Sequence, residues 1–153
     1  MKKPLIVIAG PTACGKTDLS IELAKKIGGE IISGDSMQVY KFMDIGTAKP
    51  TKEEMCGIPH FLIDELYPDE EYNVMVFQKK AREYMDGIYG RGDIPIVVGG
   101  TGFYINALVY DNDFTEEKES GIREELYRIA EKEGPEKLHS MLAEVDPEYA
   151  GQI

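Results

Sequence analysis

A chain of 153 residues, 42% of them hydrophobic, can bury one substantial core with a small appendage and leaves little room for two full domains. Its 17 basic and 28 acidic side chains give a net charge of −11, which disfavours non-specific attraction to nucleic-acid phosphates or to an anionic membrane. Two cysteines, Cys14 and Cys56, are too few for a disulfide framework, and the first residues lack the length and cleavage pattern of a secretory signal, so a cytoplasmic protein is expected.

Residues 5–9 form a continuous apolar run that ends at Gly10 and Pro11, which predicts a strand buried on both faces, as in a parallel sheet covered by helices. The run is far short of the ~20 residues needed to cross a bilayer. From Thr17 onward Ile21 and Ala24 recur at helical spacing, and Gly28 with Gly29 supplies the stop. Further strands are predicted at residues 30–33, 61–64 and 94–98, separated by helical stretches of which residues 74–89 are the clearest. Such alternation implies an α/β fold with a parallel sheet flanked by helices.

Strand signals end near Tyr110. Residues 111–153 hold 13 acids and 5 bases, a balance of −8, against −3 for residues 1–110. Residues 116–133 read as an exposed helix with Ile122, Leu126 and Ile129 on one side, and Gly134 with Pro135 opens a second short helix. The change of character falls in residues 111–115. The chain therefore divides into an α/β core, residues 1–110, and a small helical insertion, residues 111–153.

Gly10, Pro11, Thr12, Ala13, Cys14, Gly15, Lys16 and Thr17 match G-x-x-x-x-G-K-[ST] between a predicted strand and a predicted helix. Glycines let backbone N–H groups curl around a phosphate, the helix N-terminus adds a partial positive charge, and Lys16 adds a full one. Thr17 is the expected ligand of a magnesium ion. The alternative is a glycine-rich turn with no ligand. A phosphate loop names a pyrophosphate-shaped ligand, such as ATP, without naming a reaction.

A nucleotide hydrolase also needs an acidic residue closing an apolar strand. Asp64, after residues 61–63, is the candidate, because the most apolar strand ends instead in Gly99 and Gly100. Asp35 follows the second strand at the carboxyl end of the sheet, where open α/β folds bind their ligands. A carboxylate there can accept a proton from an attacking nucleophile, or it can simply cap a short turn. The stretch from Gly99 to Ile105 has the same placement, either an anion-binding helix start or a tight turn. His60 and His139 stand apart from any Cys/His cluster with metal-ligand spacing, so structural roles are expected for both.

Four ordered blocks are similar to those of the tRNA dimethylallyltransferases: residues 10–17, Asp35-Ser36-Met37-Gln38-Val39-Tyr40, Ile45-Gly46-Thr47-Ala48-Lys49 and Gly99-Gly100-Thr101-Gly102-Phe103-Tyr104. Residues 59–64 and 138–147 resemble two further stretches, so the likeness runs over nearly the whole chain. Two departures stand out: Cys14 replaces a usual serine, and members of the family are about twice as long, so their C-terminal half is absent here.

The resemblance implies a P-loop NTPase-like core and a prenyl transfer. Dimethylallyl pyrophosphate would lie with its phosphates in residues 10–17. Lys16, Thr17 and Mg2+ would stabilise the departing oxygen, and Asp35 would take a proton from the exocyclic amine of an adenosine beside the anticodon. Asp35, Ser36, Met37, Gln38, Thr101 and Arg123 are implied tRNA contacts, at the anticodon stem-loop. For Arg123 a solvated helix charge paired with nearby glutamates is the alternative. The protein is expected to act as a monomer away from membranes. A small-molecule kinase, a relative that prenylates free adenine nucleotide, and a pyrophosphate-binding fragment without activity remain as rivals.

Overall fold

The structure, a computed structural model, describes residues 3–110 and 121–153. Four parallel strands, β1 (Ile6–Ala9), β2 (Gly29–Ser33), β3 (His60–Phe61) and β4 (Ile94–Gly99), lie in the order β1-β4-β2-β3. Ala9 is level with Gly99, and Ser33 with Val98, so the carboxyl ends of three strands finish together.

Helix α1 (Lys16–Ile27) is bracketed by glycines in the left-handed region, Gly15 at φ 84° and Gly28 at φ 66°. Only glycine adopts that conformation without penalty, which is why the helix starts and stops there. Its buried Ile21 and Ala24 pack on Ile31 and Ile96 on one face of the sheet. The opposite face carries α2 (Val74–Arg91) and α3 (Gly102–Val109). Phe77, Ala81 and Ile88 of α2 meet Ile32 and Val97 of the sheet, with Ile105 and Leu108 of α3, in the larger core. Asn73 starts α2 by accepting from Met75 N and Val76 N at 3.0 and 3.1 Å.

Three expectations need correction. The first strand is not buried on both faces: β1 pairs only with β4 among the described residues, and its side chains alternate between half-buried and exposed. The third strand does not reach Asp64. Leu62 and Asp64 have φ of 60° and 54°, and the Glu65 carboxylate accepts from Leu62 N at 2.6 Å, which turns the chain out of the ladder after Phe61. Finally, residues 34–59 connect β2 to β3 without a helix.

The chain divides into two compact units, Met1–Phe114 and Thr115–Ile153. The second contains α4 (Ile122–Glu133), α5 (Pro135–Val145) and α6 (Pro147–Ala150). Gly134 at φ 85° separates α4 from α5, and Pro135 stands in the first turn of α5, where a missing N–H costs nothing. His139 Nε2 donates to the Ala150 carbonyl at 2.8 Å. Residues 111–115, where the sequence changes character, and residues 116–120 of the expected helix lie outside the described residues.

One close approach governs the carboxyl edge. A Cβ added to Gly99 would come within 2.5 Å of the Gly34 carbonyl carbon and oxygen. Backbone cannot rotate away as a side chain can, so Gly99→Ala must force β4 and the residue before Asp35 apart. Gly99→Ala is expected to cost about 2 kcal/mol, the size of core overpacking, read from urea unfolding.

His60 makes stability depend on pH. Burial holds its pKa below the ordinary 6.5, partly opposed by the bond to the Ile58 carbonyl. Keeping this ring neutral contributes stability in full above about pH 6.5, and that contribution is lost as pH falls through the lowered native value. Unfolding measured between pH 7.5 and 5 should therefore show a decline that is shallower in His60→Gln.

Candidate active site

The loops after β1, β2 and β4 surround an open cavity of about 460 Å³ at the carboxyl edge of the sheet. Thr12, Ala13, Gly15, Lys16 and Thr17 line one side, Asp35 and Gln38 another, and Gly99 and Gly100 the floor between them. The parallel sheet produces this convergence, since every strand end points the same way.

Residues 10–17 form the expected turn. Ala13 at φ 63° and Gly15 at φ 84° curl the backbone ahead of the N-terminus of α1. The Lys16 ammonium folds back to donate to the Pro11 carbonyl, 3.8 Å from the Cys14 sulfur. Gly10, Pro11 and Cys14 shape the loop without lining the cavity.

Asp35 takes up the capping position that the sequence offered as one of two readings, and it also lines the cavity. Its Oδ1 accepts from Met37 N at 2.8 Å and Gln38 N at 3.3 Å, so it caps the turn after β2. Its Oδ2 makes no hydrogen bond among the described residues, and the side chain lines the cavity. Ser36 and Met37 are not among the lining residues. The Gln38 carboxamide is committed internally, accepting from Ser33 Oγ at 2.9 Å and donating to the Thr47 and Ala48 carbonyls at 3.1 Å.

Thr101 opens α3 one residue beyond Gly100, and its carbonyl accepts from Tyr104 N and Ile105 N. Arg123 lies exposed in the first turn of α4, in the second unit. Behind Asp35, Tyr72 packs edge-on against Tyr40 and Tyr104 with ring centroids 6.2 and 5.9 Å apart. Burial first, then Tyr104, Glu65, Tyr40 and Asp35, pushes the Tyr72 phenol far above its ordinary pKa, so this phenol stays neutral.

Six lining residues had no assigned part: Asp18, Ala48, Lys49, Pro50, Glu54 and Val98. Lys49 stood within one of the recognised blocks, yet its partner Asp64 is fifteen residues away and local pattern does not reveal it. No helix among the described residues is long and apolar enough to cross a membrane. Nor do the described residues contain a group of three His, Cys, Asp or Glu side chains that could hold a metal ion. The Thr17 hydroxyl and the carboxylates of Asp18, Asp35 and Glu54 do give the cavity hard oxygen donors. That set fits magnesium, which is commonly held by one or two protein oxygens together with substrate phosphates.

The parallel sheet, with a glycine-bounded loop running from its first strand into α1, defines the class: an α/β domain of the P-loop NTPase-like type. The chain belongs to the IPP transferase family, whose model matches residues 38–153, while an isopentenyl transferase model matches residues 3–68. It is 56% identical over 152 residues to the tRNA dimethylallyltransferase of Lachnoclostridium phytofermentans, covering 99% of this chain and 49% of that relative. The Bacillus anthracis protein of the same name is 52% identical over 153 residues, with the same shares covered. Among solved structures, the full-length tRNA isopentenylpyrophosphate transferase from Bacillus halodurans superposes with a TM-score of 0.74 at 46% identity, over 99% of this chain and 50% of that one. A eukaryotic dimethylallyltransferase acting on tRNA gives a TM-score of 0.82 at 39% identity, over 99% and 38%. The chain spans about half the length of the curated relatives it matches.

The capping role of Asp35 can be measured apart from any chemistry. Asp35→Ala, which removes both turn bonds, should lower unfolding stability by about 1 kcal/mol, whereas Asp35→Asn, which keeps an acceptor, should stay within about 0.5 kcal/mol. Chemical denaturation of the two variants reads the difference.

Proposed function

We propose that the whole protein transfers a dimethylallyl group from dimethylallyl pyrophosphate to the exocyclic amine of the adenosine next to the anticodon of a tRNA. The single observation that carries this is the shared cavity: the loop ending at Thr17 and an acidic side chain, one oxygen of which makes no hydrogen bond among the described residues, line the same space. The names of the relatives, tRNA dimethylallyltransferases, supply the substrates.

The diphosphate lies against the loop from Gly10 to Thr17. There Lys16 exchanges the neutral Pro11 carbonyl for an anionic oxygen, a stronger charge-assisted bond. As the allylic carbon–oxygen bond breaks, its electron pair goes to the diphosphate, whose growing charge is met by Lys16 and the loop N–H groups. Thr17 would hold a magnesium ion, which when bound supplies further positive charge at the leaving oxygens. The adenine amine forms the new carbon–nitrogen bond and gives up a proton to the uncommitted oxygen of Asp35. A base must leave its stack to reach such a cavity.

Ser36, Met37 and Gln38 bound the approach of that base, and Thr101 and Arg123 are each a tRNA contact of their own unit. We take the protein to work in the cytoplasm as a monomer. Three rivals stay within reach of experiment: a kinase would bind ATP in preference to the allylic diphosphate, a nucleotide prenyltransferase would accept free adenine nucleotide, and an inactive fragment would bind pyrophosphate alone.

The test uses the whole protein with magnesium, radiolabelled dimethylallyl pyrophosphate and unmodified tRNA. Asp35→Asn is expected to reduce transfer by about 10²- to 10⁴-fold, the range for a lost proton acceptor, with pyrophosphate affinity kept. Undiminished transfer by Asp35→Asn removes Asp35 from this role.

A further inference from the structure

After Gln38 the chain leaves the carboxyl edge of the sheet, and it comes back to wall the cavity with Ala48, Lys49 and Pro50. The outgoing residues are tied by main-chain bonds to the segment after β3, from Asp64 N to the Gln38 carbonyl, from Glu65 N and Leu66 N to the Val39 carbonyl and from Lys41 N to the Leu66 carbonyl, and Val39 is buried. The return, residues 42–49, contains no helix or named strand, and Phe42 and Ala48 have positive φ. Besides Thr47 Oγ1, which donates to the Met43 carbonyl, two side chains hold this return. From within, Gln38 Nε2 donates to the Thr47 and Ala48 carbonyls. From without, Lys49 Nζ donates to the Tyr40 carbonyl at 2.8 Å, to Asp44 at 2.9 Å and to Asp64 at 2.6 Å.

An ammonium has three protons. Three acceptors use all of them, so Lys49, although it lines the cavity, has none to offer a substrate phosphate. Its side chain is only 5% exposed while those of Asp44 and Asp64 are 71% and 50% exposed, so the pair closes over the lysine. Burial alone would lower its pKa, but the bonds to Asp64 and Asp44 more than offset this, and the group stays charged.

We infer that Lys49 is a positioning residue: by pinning the returning loop to Asp64, just past β3, it holds Gln38, and through Gln38 the carboxylate of Asp35, in register with the anion cradle. The chain of bonds is continuous. Lys49 fixes the loop, the loop carbonyls hold the Gln38 carboxamide, and Gln38 N and Ser33 Oγ fix Asp35 at its Oδ1 and its backbone N–H. The inference rests on the transfer reaction proposed above for its kinetic consequence, and on the loop geometry alone for its structural one.

The experiment compares wild type, Lys49→Met, Lys49→Arg and Asp64→Asn in the whole protein. Lys49→Met should lower kcat for prenyl transfer to tRNA by about 30- to 100-fold, the effect of a misplaced reacting group, with KM for the allylic diphosphate and the affinity for magnesium pyrophosphate changed less than about twofold. Lys49→Arg should recover part of the rate. Asp64→Asn should lower kcat in the same sense, and the double variant should lose less than the product of the single losses. Hydrogen exchange should rise in residues 38–49 and stay unchanged in residues 10–17. A fall in pyrophosphate affinity with kcat retained would make Lys49 a phosphate ligand and overturn the inference, as would unchanged exchange in residues 38–49. If wild type itself transfers no prenyl group, the proposed reaction falls, and the exchange measurement still decides whether Lys49 is the anchor. Should Lys49→Met fail to fold, Asp64→Asn carries the same comparison.

Discussion

At the carboxyl edge of the sheet the backbones of Gly34 and Gly99 approach so closely that a methyl group cannot stand between them. That contact sets where everything else in the cavity can be. Gly34 N donates to the Val98 carbonyl at 2.8 Å, which carries the chain one residue beyond the strand and delivers Asp35 beside the strand that also ends at the cavity floor. On the other side of β4, Ala9 is level with Gly99 and leads directly into the loop that ends at Thr17. Strand β4 is thus a ruler between Asp35 and the loop at residues 10–17, and its terminal glycine sets the spacing.

The same geometry explains why the adjacent strand carries no aspartate. A side chain at position 99 would collide with main chain, so the acidic group comes from the next strand over. Asp35 serves its own turn with one oxygen and faces the cavity with the other. Capping a turn and lining the cavity are not alternatives there, because a carboxylate has two oxygens.

Much of this was legible beforehand. The glycine-bounded helix after the first strand, the long helix at Val74–Arg91 and the apolar strand at Ile94–Gly99 follow from spacing and stop signals that act over a few residues. What local pattern could not supply was set by distant partners. The run through residues 61–64 looks like a strand, yet one Glu65 carboxylate accepts from Leu62 N and from the Tyr84 hydroxyl of α2, at 2.6 and 2.8 Å, and bends it away. Burial of β1 depends on how many neighbours it has, which its own residues do not state. Likewise Asp64 reads as a hydrolase carboxylate until Lys49 is seen to occupy it.

In the second unit, α4 and α5 contain no fully buried residue, and between Gly121 and Ile153 only Ala150 is fully buried, with Ile129, Ala130, Leu138, Met141 and Leu142 half-buried. Apolar burial is worth roughly 25 cal/mol per Å² whereas ordering a residue's backbone costs about 1–2 kcal/mol, so one buried alanine and a few half-buried side chains offset only part of the entropy of three helices. Capping adds little, since α4 and α5 start without a side-chain cap and only Asp146 caps α6, so on warming this acidic segment should melt ahead of the sheet as a separate cooperative event.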